Sequence, residues 1–296
     1  MSDTQDRLAA DAEERSVSLV QFSSSYGYSA AGTALESNSG RPKASRTRRG
    51  WLILGGAVLP LALLGLWQFL SMSGIVPAHR LPSPASVWQA GVDMTVDGVL
   101  GQHIAISTQR VLLGFVLGSL VGLVLGATVG LSRVAHVLLA PTVGGFRAVP
   151  SLAWVPLLVL YIGINEDSKV ILIAIGAMFP VYTTVSGALR HVDPQLVELG
   201  RTYGLGRLKL LQQVQLPAII PSVVSGLRLA LAQAWLFLVA GELLGAAMGL
   251  GFLLTDSQNN GRLDRMFLTI ILLAVLGKVT DALIGLLERY LLKRWG

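Results

Sequence analysis

Five charged residues stand inside the long apolar stretches of this sequence, and they are the first candidates for chemistry. They are Arg110, Arg228, Glu242, Lys278 and Asp281. A charge in hydrocarbon is costly, so each of these side chains must face protein or water. We favour structural ion pairs for all five. The alternative is that Arg110 or Arg228 lines a path across the membrane, where its charge would offset that of an anionic substrate.

The spacing of these charges predicts their partners. Lys278 and Asp281 are three residues apart on one helical face, which favours a mutual pair. Glu242 can pair with Arg228 only through a bend or another subunit, because several helical turns separate them. His103 and His191 belong to no partner pattern, so we interpret them as simple loop or span-end residues.

The sequence lacks the motifs of enzymatic chemistry. Gly277-Lys278 has neither the upstream glycine nor the following Ser or Thr of an ATP-binding phosphate loop. We find no clustered His/Asp/Glu metal set, no nucleophile elbow and no carboxylate pair in a polar pocket. With no cysteine, thiolate zinc sites, iron-sulfur clusters and cysteine nucleophiles are excluded. The sequence predicts a chain that is not an enzyme and binds no metal or cofactor itself.

The composition is that of a bilayer protein. Of the 296 residues 52% are hydrophobic and only 14% are charged, too apolar for an ordinary soluble domain. Much of the net charge of +6 lies just before the first long apolar run. The residues concerned are Arg41, Lys43, Arg46, Arg48 and Arg49. A juxtamembrane basic cluster explains them better than nucleic-acid binding, which we do not expect.

Hydropathy predicts an all-α polytopic bundle of about six transmembrane helices, since about 20 apolar residues cross the hydrocarbon core. The predicted spans are Trp51 to Leu70, Ser107 to Leu131, Val137 to Ile162, Lys169 to Gly187, Ile219 to Leu244 and Met266 to Leu292. The third contains Pro141, Pro150 and Pro156 as well as Arg147, so we expect a broken or kinked element.

The flanking charges predict the orientation. An even number of spans puts both termini on one side, and the richer Lys/Arg loops identify that side as the cytoplasm. Residues 1–50 are polar and have no apolar signal-peptide region, so they are predicted to be a disordered cytoplasmic tail. Residues 51–296 form the predicted transmembrane domain.

Glycines recur at every fourth residue in the second span. The series is Gly114, Gly118, Gly122, Gly126 and Gly130, and Gly241, Gly245 and Gly249 repeat the spacing in the fifth span. A helical face without side chains lets another helix approach closely. The spacing fits a sliding surface and static packing equally well.

A polar segment, residues 193–217, separates the fourth and fifth spans. Asp193 can cap a helix that opens with Pro194, and Gly204 can end it in a left-handed conformation. A second short helix is predicted from Gly206 until the chain turns at Pro217. Leu208, Leu211 and Val214 would share one face. The result is a compact helical hairpin suited to a groove on a partner.

This segment resembles the EAA loop of ABC-importer permeases. The matching residues are Glu198, Gly204, Val214, Leu216 and Pro217. In that family the loop forms the coupling helix that docks into the ATPase subunit. The sequence departs from the pattern at Leu199 and Gly200, where the family commonly has two alanines.

Other stretches narrow the resemblance. "RAVPSLAWVPLLVLYIG" from Arg147 and "GLRLALAQAWLFLVAGELLGAAMGLGFLL" from Gly226 look like permeases of the nitrate, sulfonate and taurine group. "LPSPASVWQAG" from Leu81 and the run that follows from Gln102 look closest to aliphatic sulfonate permeases. Nitrate or bicarbonate, and aromatic vitamin precursors, remain alternative substrates.

The resemblance implies a type I ABC-importer permease in the bacterial inner membrane. It also implies a second permease chain, two ATPase subunits that bind ATP and Mg²⁺, and a soluble or lipid-anchored substrate-binding protein. An ion-driven secondary transporter is a different hypothesis, which predicts internal repeats and interrupted helices with coupling-ion ligands. We find no convincing repeat and no such carboxylate cluster. A membrane-embedded enzyme would need the catalytic motifs that the sequence lacks.

Overall fold

The structure, a computed structural model, describes residues 46–74, 77, 80–243 and 245–295, and these contain helices and connecting turns but no strand. The chain divides into two units, residues 1–60 and 61–296. The first unit is described only from Arg46, where helix α1 (Arg46–Met72) begins. This start precedes the predicted span by five residues, 46–50, and the rest of the predicted tail lies outside the described residues.

Ten further helices follow in the second unit. They are α2 (Pro84–Val96), α3 (Val99–Leu131), α4 (Arg133–Ala148), α5 (Trp154–Ile162), α6 (Glu166–Arg190), α7 (Pro194–Thr202), α8 (Arg207–Leu210), α9 (Leu216–Leu243), α10 (Leu250–Asn259) and α11 (Leu263–Trp295). A five-residue π segment, Leu211–Gln215, joins α8 to α9, so that Arg207–Leu243 is one continuous helix.

Four described helices are long and apolar enough to cross a membrane. They are Val99–Leu131, Glu166–Arg190, Arg207–Leu243 and Leu263–Tyr290. These correspond to the second, fourth, fifth and sixth predicted spans. The first predicted span falls in α1, where Val58–Met72 is a shorter apolar helix. The count of six remains a prediction of the sequence.

The third predicted span is interrupted, as expected. Helix α4 ends at Ala148, a short 3₁₀ turn covers Ser151–Ala153, and α5 starts at Trp154. Val149 is extended, with φ −68° and ψ 127°, because the ring of the following Pro150 disfavours helical backbone at the residue before it. The proline thus separates two helices that the hydropathy pattern merged.

The glycine series of α3 forms a groove that holds the backbone of α6. A Cβ at Gly118 would overlap the carbonyl group of Ala174, and one at Gly122 would lie 2.6 Å from the carbonyl oxygen of Met178. At Gly130 it would lie 2.8 Å from Cβ of Leu189. Only glycine allows this approach, so the predicted close packing is confirmed for this helix pair.

The second glycine series does not form a helical face, which corrects the prediction. Helix α9 ends at Leu243, and only Gly241 lies within it. Gly245 and Gly249 have φ values of +146° and +122°, in backbone conformations that glycine tolerates and side-chain-bearing residues rarely adopt. These two glycines shape the turn between α9 and α10.

The hydrophobic core of the second unit lies among α3, α6 and α9. Val111, Ile173 and Leu238 are completely buried there. Gly176 of α6 lets the ring of Phe237 approach, since a Cβ at that glycine would lie 2.7 Å from the ring's Cγ. This close packing fixes α3, α6 and α9 as the frame for the polar groups described next.

Candidate functional site

A buried polar cluster at one end of the bundle centres on Glu242, in the last turn of α9. Its carboxylate is 0% exposed and accepts hydrogen bonds from Ser107 Oγ at 2.8 and 3.0 Å. Arg110 Nη1 donates to Oε1 at 2.6 Å, and the Gly251 amide donates to Oε2 at 2.7 Å. A buried charge is tolerable only with such a complete set of partners.

Arg110 connects this carboxylate to a second one. Its Nε and Nη2 donate to the two oxygens of Glu166 at 2.6 and 2.7 Å, a bidentate pair. Nη1 also donates to the carbonyl oxygen of Met248 at 2.7 Å. Lys169, one helical turn after Glu166, contacts Glu166 Oε1 at 3.2 Å. The cluster thus joins α3, α6, α9 and the turn before α10.

The N-terminus of α10 is anchored by the same cluster. The amides of Gly249, Leu250 and Gly251 donate to His103 Nδ1, Ser107 Oγ and Glu242 Oε2, at 2.9, 2.8 and 2.7 Å. These amides have no partner within their own helix, and the carboxylate also favours the positive end of the helix dipole. His103 is therefore a buried residue of α3, which corrects its interpretation as a loop or span-end residue.

Two glycines make room for the Glu242 side chain. A Cβ at Gly249 would collide with its carboxylate, and a Cβ at Gly251 would lie 2.6 Å from Cβ of Glu242. The turn can close over a buried acid because these positions carry no side chain.

The cluster has the properties of a structural ion-pair network that holds helices together, not those of a substrate-binding site. Arg110 is about 4% exposed and its guanidinium is already bound to two carboxylates and a carbonyl oxygen. It cannot also neutralise a transported anion without breaking these bonds. The sequence predicted roles for Arg110 and Glu242 but gave no signal for Ser107, Glu166 or Lys169. Glu166 opens α6 on the edge of an apolar run, where nothing local distinguishes it from a solvated helix start.

The other three intramembrane charges form a separate cluster. Arg228 Nε and Nη2 bind the carboxylate of Asp281 at 2.8 and 2.9 Å, and Nη1 contacts Glu288 at 3.3 Å. Lys278 is 3.9 Å from Asp281, so the predicted pair exists but is the weaker contact. Glu242 does not pair with Arg228. Arg110 is its partner, because α3 brings that residue to the end of α9.

The polar segment begins as predicted. Asp193 Oδ1 accepts from the Gln195 amide at 2.9 Å, and Pro194 occupies the first helical position of α7. Helix α7 ends in a Schellman motif, in which Leu205 N donates to Gly200 O and Gly204 N to Arg201 O, at 3.1 and 2.9 Å. Gly204 has φ +74°, which explains the glycine at this position.

The departure from the family pattern at Gly200 has a packing explanation. Gly200 is buried, and a Cβ there would lie 2.5 Å from Cδ1 of Leu210 and 3.4 Å from Cγ2 of Val214. Leu210 therefore occupies the space that an alanine would need. Leu199, the other departure, points outward with 55% exposure.

The second half of the segment differs from the prediction. The chain does not turn at Pro217, which lies within the helix Arg207–Leu243. A proline has no amide to donate, and the π segment just before it shifts the hydrogen-bond register where that donor is missing. Leu208, Leu211 and Val214 do not form one outward face. Leu208 is 67% exposed, whereas Leu211 and Val214 are half-buried against the bundle and α7.

Comparison with known proteins identifies the family of this chain. Residues 114–293 match the model of the family described as binding-protein-dependent transport system inner membrane component. A permease protein of Bacillus subtilis (strain 168), named for transport of aliphatic sulfonates, is 38% identical over 89% of this chain and 96% of its own. A protein of the same name from Escherichia coli (strain K12) is 42% identical over 80% of this chain and 90% of its own.

More distant relatives share the fold. A bicarbonate transport system permease protein of Synechococcus elongatus is 29% identical over 88% of this chain and 99% of its own. A solved structure of the MetNI methionine ABC transporter, described as inward facing, covers 68% of this chain and 98% of its own with a TM-score of 0.54. Its identity is 23%, so it supports the fold alone. This multi-pass membrane chain belongs to the family of binding-protein-dependent transport system inner membrane components and is the permease subunit of an ABC importer.

Proposed function

We propose that this permease imports aliphatic sulfonates, taurine included, as part of a complex driven by a separate ATPase. The complex contains a second copy of the chain, two ATPase subunits that bind ATP and Mg²⁺, and a soluble or lipid-anchored binding protein. The names of the two relatives at 38% and 42% identity support the substrate class. The relative named for bicarbonate supports a small inorganic anion as the second candidate.

The observation that carries the ATPase assignment is the exposed surface of α7 and α8. Leu199, Tyr203 and Leu208 are 55%, 79% and 67% exposed, and the carboxylate-bearing Glu198 stands exposed beside them. Exposed apolar side chains on a polar connecting segment indicate a protein interface. This surface, residues 193–217, is our proposed ATPase-coupling site, with Glu198, Gly204, Val214, Leu216 and Pro217 as its family-matched residues.

The helix connections support transmission of force from this site. The segment continues through the π residues directly into α9, so a displacement of α8 must move or bend α9. Helix α9 packs closely on α6, where a Cβ at Gly226 would lie 3.0 Å from Cβ of Thr184. Closure of the ATPase pair would thus tilt a rigid group of helices and change the side to which the pathway opens.

The proposed topology places both termini and residues 193–217 in the cytoplasm. The basic flanks of the spans support this orientation. Tags at Met1 and Gly296 should be inaccessible to membrane-impermeant labels in intact cells and react after permeabilisation. Labelling of either terminus in intact cells would contradict the topology.

Substitution of Gly204 tests the coupling site. Gly204→Val should force a β-branched residue to φ +74° and distort the end of α7 without touching the buried spans. We expect the variant to insert normally, retain less ATPase on copurification and lose most ATP-dependent uptake. Glu198→Ala should lower uptake as well, by removing a charged contact to the ATPase.

Gly101 of α3 provides the matched control. It is an exposed helical glycine outside the coupling site with nothing within 4 Å of an added Cβ, so Gly101→Val should leave both ATPase copurification and uptake unchanged. Normal copurification and uptake in Gly204→Val and Glu198→Ala would contradict the coupling assignment. Uptake by the wild-type complex, measured with ethanesulfonate, taurine, bicarbonate and nitrate, separates the candidate substrates.

A further inference from the structure

Arg147, a cation within the third predicted span, has a role still to be assigned. It lies in the last turn of α4, just before the proline break, and is exposed. Its Nη1 donates to Thr183 Oγ1 at 3.2 Å, and this hydroxyl in turn donates to the carbonyl oxygen of Phe179 at 2.7 Å. The ion pairs found among the described residues do not include Arg147.

This isolation distinguishes Arg147 from the two arginines first considered for the pathway. Arg110 and Arg228 each bind two carboxylates. Among the described residues no carboxylate neutralises Arg147, and an uncompensated guanidinium is too costly to face lipid, so it must face water, a ligand or another subunit. Four of its five N–H donors are not used by Thr183.

A cavity of about 310 Å³ adjoins this guanidinium. Its lining includes Arg147, Thr183, Thr184, Gln233, Phe179 and Phe237. Gln233 makes no hydrogen bond within the described part of the chain, so its amide can donate to a ligand. The two phenylalanines provide apolar lining surface. The volume is at the lower end of the range for small-molecule sites.

A second cavity, of about 510 Å³, shares Arg147 and Thr183 with the first. It extends to the C-terminal end of α6, where Arg190, His136 and His191 also line it. Its charged lining residues are basic, and no carboxylate is among them. The two cavities together form a region that attracts anions and continues along α6.

We propose that Arg147 and Gln233 form a low-affinity binding site for the sulfonate group of the transported molecule, and that Phe179 and Phe237 contact its alkyl chain. Thr183 positions the guanidinium. A sulfonate presents three acceptor oxygens and a permanent charge, which fit the free guanidinium donors. The site rests on the proposed function, and it places substrate recognition in the permease as well as in the binding protein.

The test uses the permease–ATPase complex in lipid nanodiscs without the binding protein. Saturation-transfer NMR with 1-butanesulfonate measures weak binding directly. We expect a saturable signal from the alkyl protons for the wild type. Arg147→Gln should raise the apparent Kd about 10- to 100-fold, as expected for loss of charge-assisted hydrogen bonds, and Gln233→Leu about 3- to 10-fold.

Arg133→Gln is the matched control, because Arg133 is an exposed arginine at the other end of the same helix and lines neither cavity. Its Kd should equal that of the wild type. Phe179→Ala should reduce the gain in affinity from ethanesulfonate to 1-butanesulfonate. Inorganic sulfate, which has no alkyl chain, should compete more weakly than 1-butanesulfonate.

Three outcomes would overturn the proposal. An unchanged Kd for 1-butanesulfonate in both Arg147→Gln and Gln233→Leu would show that these residues do not bind the sulfonate group. Failure of Arg147→Gln to assemble, together with an unchanged Kd in Gln233→Leu, would indicate that Arg147 forms a structural ion pair with another subunit. Absence of a saturable wild-type signal would contradict binding in the permease. Sulfonate uptake by the wild-type complex in vesicles distinguishes each of these from failure of the proposed function.

Discussion

Two ion clusters hold this bundle together with the same chemistry and very different burial. In the first, the side chains of Arg110 and Glu242 are 5% and 0% exposed. In the second, those of Arg228 and Asp281 are 42% and 30% exposed. Both contain an arginine bound to two carboxylates. We infer that the contribution of an ion pair to the stability of this fold depends on how deeply the pair is buried.

The helices around the first cluster pack more closely than those around the second. Helix α3 lies against the backbone of α6 through its glycine groove. Helices α9 and α11 instead meet through side chains, as in the hydrogen bond of 3.0 Å from Trp235 Nε1 to Thr280 Oγ1. In the apolar windows of α3 and α6, 33% and 39% of the residues are buried, whereas Val275, Val279 and Leu283 of α11 are 50%, 50% and 59% exposed. Helix α11 therefore depends on lipid or another subunit for cover.

The largest effect should come from Glu242. Glu242→Leu would leave Arg110 without its buried partner and the Gly251 amide without an acceptor, so we expect a loss of about 3–5 kcal/mol in the free energy of unfolding. Denaturant titration of the detergent-solubilised permease measures it. Glu166→Gln should cost less, because that side chain is 62% exposed and water can hydrate the groups left behind. Equal losses of unfolding free energy in Glu242→Leu and Glu166→Gln would contradict the inference that stability depends more on buried ion pairs than on exposed ones.

An intermediate effect is expected in the glycine groove. Gly118→Leu would drive a side chain into the carbonyl of Ala174 and separate α3 from α6, with an expected cost of about 1–3 kcal/mol or more. Gly101→Leu, on the same helix with nothing within 4 Å of an added Cβ, is the control. The yield of monodisperse protein and ATP-dependent uptake should fall only in the first. Wild-type values for Gly118→Leu would contradict the packing.

The smallest effect should come from the half-exposed cluster. Arg228→Gln and Asp281→Asn should each shift the unfolding midpoint less than Glu242→Leu does, because the remaining charge can be hydrated. The double variant should be no less stable than the less stable single variant, since both remove one interaction. A loss of stability as large as that of Glu242→Leu would show that this cluster is buried in the assembled complex.

The class of protein and its main helices could be predicted from the sequence alone. Apolar runs of spanning length predicted four helices that the structure contains, because hydrocarbon requires every backbone group to be bonded within its own helix. Asp193 and Gly204 predicted the limits of α7, since caps depend on a few adjacent residues. Pro141, Pro150 and Pro156 predicted a break or kink in the third span, and the break lies at Pro150, for the same local reason.

The partners of the charged side chains could not be predicted from the sequence, because they depend on tertiary contacts. Arg110 reaches Glu166 and Glu242 across 56 and 132 positions of sequence, and no periodicity records which helices become neighbours. The turn at Gly249 and the continuity of α8 with α9 likewise depend on contacts or register that local signals did not give. Helix formation is a local property, whereas the pairing of buried charges depends on how the helices pack. The fold was therefore needed to show that no ion pair among the described residues includes Arg147.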